Sequence, residues 1–221
     1  MAEPILTRTA SALAAARAYL TQASAGVIAQ LGEAKSAVLD TEQRRLHALA
    51  WTATTVEALE QLLGWARRAE DAGRFGEGEQ LVLQIGYGEY LAQLVGGLPM
   101  SQNEFARPSD MGASAAAAKL ADAAADLLQN GSTPAARSAL AKLLGDGWRP
   151  YEGIGDETLD AVRDQFRRFT ADKITPKAHG WHLKDQLIPD EIVQEMADAG
   201  VFGVCIAEEY GGLGQIGRAH V

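Results

Sequence analysis

Apolar residues recur at helical spacing along most of the chain. In the first segment they repeat every seven residues, at Leu6, Leu13, Leu20 and Val27, which predicts a helix over residues 7–31. A second stripe predicts a long helix that ends at Gly73. Its N-cap is predicted to be Asp40, with Gln43 in the capping-box position. The apolar face of this second helix comprises Leu46, Leu49, Ala53, Val56, Leu59, Leu63 and Ala66.

Three further helices are predicted between residues 77 and 144. One covers residues 77–95 and stops at a glycine pair, where Gly86 and Gly88 suggest close approach of another helix. Residues 98–112 read as a loop because they contain two prolines and several turn formers. Helices over residues 114–128 and 133–144 follow, the second with Thr133 as N-cap. The core candidates of the first of these helices are Leu81, Ile85, Leu91 and Leu94.

A glycine- and proline-rich run, GDGWRPYEGIGDE, predicts a domain boundary. After it, Asp156 caps a helix that Pro176 is expected to end, and Pro189 opens the next, which ends at Gly200. The apolar run VFGVCIA is either a short strand or an extended connection. No other segment has a strand pattern, and the predicted fold class is all-α. The expected divisions are a helical extension (1–145), a linker (146–156), a truncated domain (157–214) and a tail (215–221). The predicted buried face after the linker comprises Leu159, Val162, Phe166 and Phe169.

Charge and composition exclude several classes of function. The formal charge of −9 over 221 residues disfavours nucleic-acid and anionic-membrane partners, which select basic surfaces. No apolar run approaches the roughly 20 residues that span a bilayer. Cys205 is the single cysteine, so no disulfide can form within the monomer, which fits a reducing cytoplasm. Its side chain is expected to act as a small core hydrophobe. Arg8 and Arg17 in an acid-poor opening leave a transit peptide as the alternative to an ordinary first helix.

The most specific segment is residues 181–214, WHLKDQLIPDEIVQEMADAGVFGVCIAEEYGGLG. It contains P-x-E at Pro189, G-x-x-G at Gly200 and EEYGG-x-G from Glu208, after a helix ending in FRRFTADKITPKAHGWH. This order resembles the N-terminal α-domain of the flavin-dependent acyl-CoA dehydrogenases. One departure is Ala207, where that family more often has proline, which loosens the turn. Upstream runs such as RRLHALAWTATTVEALEQLLGWA resemble a bacterial member of the family that carries a helical extension.

The resemblance implies FAD as cofactor, an acyl-CoA substrate, an electron-transfer acceptor and a homo-oligomeric parent. A glutamate would remove the α-proton of the thioester while the β-hydrogen leaves as hydride to the flavin. That glutamate and the flavin-binding sheet are expected beyond Gly214, so no catalytic residue is assigned and the chain is expected to be an inactive front portion. Tyr210, Gly211 and Gly212 are assigned to the wall of the substrate and flavin cavity, with a purely structural turn as the alternative.

Other candidate chemistry is weaker. Glu208 and Glu209 are adjacent in a turn and are expected to be solvated rather than catalytic. His179 and His182 are expected in a loop, without a third ligand, which disfavours zinc. A non-enzymatic helical scaffold or oligomerisation module is the alternative function. The tail QIGRAHV equals an in-frame translation of a common sequencing adapter, so residues 215–221 are expected to be an artefact; a frayed polar terminus is the alternative.

Overall fold

The computed structural model describes residues 4–31 and 36–214 and separates into two compact units. Unit 1 is Met1–Gly153 and unit 2 is Ile154–Val221. The predicted tail, residues 215–221, lies outside the described residues, as does a short segment between the first two helices. The two units differ in how much of their apolar surface is buried.

Unit 1 is a helical bundle with one small hairpin. Two antiparallel strands pair Leu98 with Ala106, and a short 3₁₀ turn follows at Pro108–Met111. Apart from this hairpin the described elements are helical, so the all-α prediction is confirmed. The elements in chain order are α1 (Ile5–Leu31), α2 (Ser36–Thr41), α3 (Gln43–Asp71), α4 (Glu77–Gly96), β1 (Leu98–Ser101), β2 (Glu104–Ala106), α5 (Ser114–Ala123), α6 (Ala125–Asn130) and α7 (Pro134–Gly145).

The core of unit 1 lies where α1, α3, α4 and α5 pack together. The heptad positions of α1 contribute to it: Leu13 and Val27 are buried, and Leu6 and Leu20 pack against the core at its edge. The first helix is therefore an integral part of the bundle. Two buried tyrosines supply most of the aromatic volume, and the Tyr87 hydroxyl donates a hydrogen bond of 2.8 Å to the Leu59 carbonyl. This bond satisfies a polar group that would be costly to bury alone.

Glycine allows α4 to approach its neighbours closely, as the sequence suggests. A Cβ built on Gly88 would lie 2.8 Å from the Ser132 nitrogen and 3.0 Å from the Gly131 Cα. A Cβ on Gly86 would meet the side chain of Leu62 at 2.6 Å. Gly88 therefore permits contact between backbones and Gly86 makes room for the Leu62 side chain, both at the cost of helix propensity.

Several local predictions in unit 1 are confirmed. Thr133 caps α7, and its side chain accepts a hydrogen bond from the Ala136 N–H at 3.2 Å. Gly73 follows α3 with a φ of +65°, a conformation that favours glycine. The predicted cap Asp40 is wrong, because Asp40 lies inside α2 and the residue before α3 is Glu42. Gln43 is instead the first residue of α3.

Two further predictions need correction. In α4 the fully buried residues are Leu83 and Tyr87 together with Leu91 and Leu94, whereas Leu81 and Ile85 are only partly buried. Gly88, which approaches Gly131, also lies on this buried face. The predicted loop over residues 98–112 contains the hairpin, whose first strand includes a proline and is therefore weak in sequence.

Unit 2 begins with a helix that Pro176 does not end. It contains α8 (Glu157–Phe169), a π-helical turn at Thr170–Ile174, α9 (Thr175–Leu183) and α10 (Asp190–Asp198). Asp156 caps α8 as predicted, accepting hydrogen bonds from the Thr158 and Leu159 N–H groups. The π turn directly before Pro176 widens the backbone by one residue, which gives room to a ring that would clash in an α-helix. The helical path continues through the proline.

The apolar faces of unit 2 are poorly covered. The predicted face of α8 is only partly buried at each of its four positions, and in α10 only Ile192 is buried. Cys205 is exposed, so its assignment to a core is wrong. The run around it forms a 3₁₀ turn and bends, and no strand forms there. Large apolar side chains that are more than half exposed in this unit are Leu183, Leu187, Ile188, Phe202 and Leu213.

We expect Gly88→Ala to lower the free energy of unfolding of unit 1 by about 1–3 kcal/mol, because the new Cβ meets backbone atoms that cannot yield. Gly64→Ala is the matched control. Its Cβ would meet only the mobile end of Arg68 at 3.4 Å, so helix propensity should stabilise α3 by up to about 1 kcal/mol. Urea unfolding of both variants measures the two effects. Equal effects of the same sign would contradict the proposed close approach.

Candidate functional site

The candidate site is the glycine turn, residues 208–214, at the end of unit 2. It follows α10, which ends at Asp198, and Gly200 just beyond that helix adopts a φ of +80°. A 3₁₀ turn at Val201–Gly203 and a second at Glu208–Tyr210 lead into it. Gly211 then adopts a φ of +82°, a left-handed conformation that side chains rarely tolerate. The glycines therefore set the path of the backbone here.

Backbone hydrogen bonds fold the glycine turn back onto the segment that precedes it. The Leu213 N–H donates to the Gly203 carbonyl at 2.8 Å, and the Gly214 N–H donates to the Ile206 carbonyl at 2.8 Å. The Gly212 N–H donates to the Ala207 carbonyl at 3.2 Å. These bonds close a compact loop from Gly203 to Gly214 without side-chain help.

Close backbone contact explains the second glycine of the pair. A Cβ built on Gly212 would lie 2.0 Å from the Ile206 carbonyl oxygen, so no other residue fits without movement. The sequence identifies Gly211 and Gly212 as a pair, but it gives no signal that Gly212 packs against Ile206, or that the Leu213 and Gly214 N–H groups bind the carbonyls of Gly203 and Ile206. That information depends on how the loop closes, which short motifs do not encode.

The side chains of the turn are open to solvent. Tyr210 is 78% exposed, and Glu208 and Glu209 are exposed beside it. A flavin or an acyl chain needs a concave site that removes most of its surface from water. The described residues of the turn form an open surface, so they do not by themselves fit FAD. The structure brings Tyr210, Gly211 and Gly212 together in one turn, and their assignment to a cavity wall stays a prediction.

The two neighbouring histidines lie in a helix, contrary to the loop expected for them. His179 and His182 belong to α9, where a spacing of three places them on similar sides of the helix, and both are exposed. Across residues 4–31 and 36–214, no group of three or more His, Cys, Asp or Glu side chains is arranged to hold a metal ion.

Two tyrosines whose pKa values are raised lie in unit 1, where they pack in the core. Burial raises the pKa of Tyr19 to about 12, partly offset by a hydrogen bond with Thr52. Burial also raises the pKa of the Tyr87 phenol, whose hydroxyl is bound to the Leu59 carbonyl. Both phenols therefore stay neutral at ordinary pH. They hold α1 and α4 in the core and do not form an acid–base pair.

Comparison with known proteins gives two matches that cover different lengths of the chain. Residues 156–220 match the family described as "Acyl-CoA dehydrogenase, N-terminal domain". The chain is also 50% identical over 186 residues to a (2S)-methylsuccinyl-CoA dehydrogenase from Cereibacter sphaeroides, an alignment that covers 83% of this chain. The resemblance to an acyl-CoA dehydrogenase N-terminal region is thereby confirmed.

The lengths of the two matches differ in an informative way. The family match begins at residue 156. Unit 2 starts at Ile154 and is much shorter than the 186 aligned residues, so most of the residues aligned with the relative lie in unit 1. The helical bundle is therefore shared with that relative although the family's own domain does not include it. The chain spans about a third (34%) of the length of this relative.

Ala207 allows a test of the glycine turn. Its φ of −62° and ψ of 148° are values that proline adopts without strain. We expect Ala207→Pro to stabilise unit 2 by about 0.4–1 kcal/mol, because it restricts the unfolded chain. The change is measured by thermal unfolding, monitored through the resistance of residues 200–214 to proteolysis.

Ala199→Pro is the control for this substitution. Its φ of −75° also suits proline, but its N–H donates to the Glu195 carbonyl at 3.0 Å, and that bond would be lost. We expect this control to destabilise the end of α10 by more than about 1 kcal/mol. A destabilising Ala207→Pro would show that the turn has a different backbone path.

Proposed function

We propose that this chain is the N-terminal part of an FAD-dependent acyl-CoA dehydrogenase, one that oxidises methylsuccinyl-CoA to mesaconyl-CoA. The observation that carries the proposal is the 50% identity to a (2S)-methylsuccinyl-CoA dehydrogenase, which extends through both units. Family resemblance in unit 2 alone would leave the acyl-CoA substrate open. Similarity in the helical bundle, which lies outside the family match, narrows it.

The proposed reaction removes two hydrogens across a Cα–Cβ bond. The thioester acidifies the α-proton, which a general base takes, and FAD supplies the redox chemistry when bound. We assign no residue of this chain to the base. Glu208 and Glu209 are exposed in an open turn, whereas a general base needs an enclosed position next to the substrate. In our proposal the remaining part of the parent enzyme supplies both the base and the flavin site.

The role of this chain is then structural. Tyr210, Gly211 and Gly212 would form part of a cavity wall once another domain covers the glycine turn. The fixed backbone from Gly203 to Gly214 supports that role, because its hydrogen bonds set the loop shape before any partner binds. The exposed apolar side chains of unit 2 also support it, since such surface usually lies at an interface.

We also propose the partners and the location of the parent. These are an acyl-CoA substrate, an electron-transfer acceptor, a homo-oligomeric assembly and the bacterial cytoplasm. Among the described helices, none combines the length and the apolar character needed to cross a bilayer. The acidic composition, with 29 Asp and Glu against 20 Lys and Arg, supports the absence of a nucleic-acid partner.

We expect the 221-residue chain, purified alone, to bind no stoichiometric FAD and to oxidise no acyl-CoA, because the described residues of the glycine turn form an open surface and we assign no base. Flavin absorbance and reduction of an artificial electron acceptor with methylsuccinyl-CoA measure both properties. The longer Cereibacter sphaeroides relative, assayed in parallel, is the positive control. Turnover by the 221-residue chain would contradict its proposed inactivity.

A gene that extends this sequence beyond residue 214 separates the dehydrogenase from the scaffold alternative. Under our proposal its product is yellow and oxidises methylsuccinyl-CoA. A colourless product without activity would favour a non-enzymatic scaffold, for which the self-contained core of unit 1 would suffice.

We expect the chain to bind a hydrophobic fluorescent dye through unit 2, because Phe202 is 55% exposed and Ile206 is 43% exposed. Phe202→Ser should lower the dye fluorescence markedly. Ile28→Ser is the matched control, since Ile28 is 65% exposed but lies on α1 of unit 1. Equal losses from both substitutions would show that the dye does not report an interface on unit 2.

A further inference from the structure

The chain leaves unit 1 along a short strap, residues 148–151, that is fixed to two helices. The strap begins two residues after α7, where the Trp148 N–H donates to the Leu143 carbonyl at 2.9 Å. Its third residue is Pro150, whose ring restricts the backbone. The strap is thus stiff before any tertiary contact is considered.

Glu79, in the first turn of α4, holds the strap. The Tyr151 N–H donates to Glu79 Oε1 at 3.1 Å, while Glu79 Oε2 accepts the Gly76 N–H at 3.1 Å. Glu79 is only 3% exposed, so both of its carboxylate oxygens bind backbone N–H groups in a shielded position. The same side chain therefore caps α4 and fastens the strap.

Indole groups complete the attachment on both sides. Trp65 of α3 donates from Nε1 to the Tyr151 carbonyl at 2.7 Å. The Trp148 ring lies directly on Gly78, where a Cβ would come within 2.2 Å of the ring. Tyr151 is thus bound through both its N–H and its carbonyl, and Gly78 must lack a side chain for Trp148 to pack.

A second anchor lies just beyond the strap. The Ile154 N–H donates to Asp160 Oδ1 of α8 at 3.1 Å, so the start of unit 2 is fixed to its own first helix. Only residues 152–153 separate the two anchored backbone positions. Gly153 itself lies against the Tyr151 ring, since a Cβ there would be 2.1 Å from the phenol oxygen.

We propose that Glu79 and Trp65 form a clasp that keeps the connection between the two units to residues 152–153. Without the clasp, the connection would lengthen toward Gly147, because the strap has no secondary structure of its own. The distance over which a flexible connection lets two bodies move grows with its length. The clasp is therefore a conformational device that limits how freely the helical bundle moves against the family domain.

Amide hydrogen exchange on the full 221-residue chain tests the two anchors separately. We expect Glu79→Ala to speed exchange of the Tyr151 amide at least tenfold and to leave the Ile154 amide unchanged. Asp160→Ala should do the reverse. Glu77→Ala, an exposed acidic residue in the same first turn of α4, should change neither amide. An unchanged Tyr151 amide in Glu79→Ala, or an equal rise throughout the α4 core amides, would overturn the proposal.

A distance measurement tests the consequence for motion. Cys205 is the single cysteine and is exposed, so a spin label there needs only one added cysteine, at Ser114 of α5. We expect Glu79→Ala and Trp65→Phe to broaden the distance distribution between the two labels, and Glu77→Ala to leave it unchanged. Trp65→Phe keeps an aromatic side chain and removes the N–H donor together with part of the indole, so it is a milder change than truncation to alanine. A distribution of unchanged width in both clasp variants would overturn the proposal.

Discussion

Close approach between helices is the constraint on which unit 1 depends. Ala12, Ala16 and Ala23 on α1 are fully buried, as is Ala66 on α3. Each alanine removes little apolar area from water, so stability must come from many short contacts. Such contacts require small residues at each crossing, and Gly88 carries this to its limit by admitting backbone atoms of the next segment. The large side chains are then confined to a few positions in the interior.

Unit 2 is organised by local interactions instead of by a core. Asp156 caps α8, glycines at positive φ end α10 and shape the glycine turn, and a π turn accommodates Pro176. These features form segments without burying much apolar surface, and α8 has no buried residue. Helices of this length gain most of their stability from packing of an amphipathic face. In our proposal the rest of the parent enzyme covers these faces; the chain spans about a third (34%) of the length of the relative.

The difference between local and tertiary control explains what the sequence could predict. Thr133, Asp156 and Gly73 act within a few residues of themselves, so their roles follow from residue type and spacing. The buried face of α4 does not follow from local spacing, because α4 packs against several helices that are distant in sequence. Pro176 misleads for a related reason, since the π turn that accommodates it has no sequence signal. The cavity-wall assignment of Tyr210 depends on a covering domain, which no local pattern describes.

The buried core and the family resemblance therefore lie in different parts of this chain. Unit 1 has the buried core, whereas unit 2 contains the residues that match the family and has an incompletely covered surface. A motif such as EEYGGLG persists in an open turn because backbone bonds between Gly203 and Gly214 hold it, and those bonds need no core. Within unit 1 the strap is bound by Glu79, a residue that neither a motif nor the hydrophobic pattern identifies. A buried carboxylate costs free energy unless its oxygens are hydrogen-bonded, and Glu79 binds the N–H groups of Gly76 and Tyr151. The burial of Glu79 therefore favours the path in which the chain passes Glu79 as it leaves the bundle.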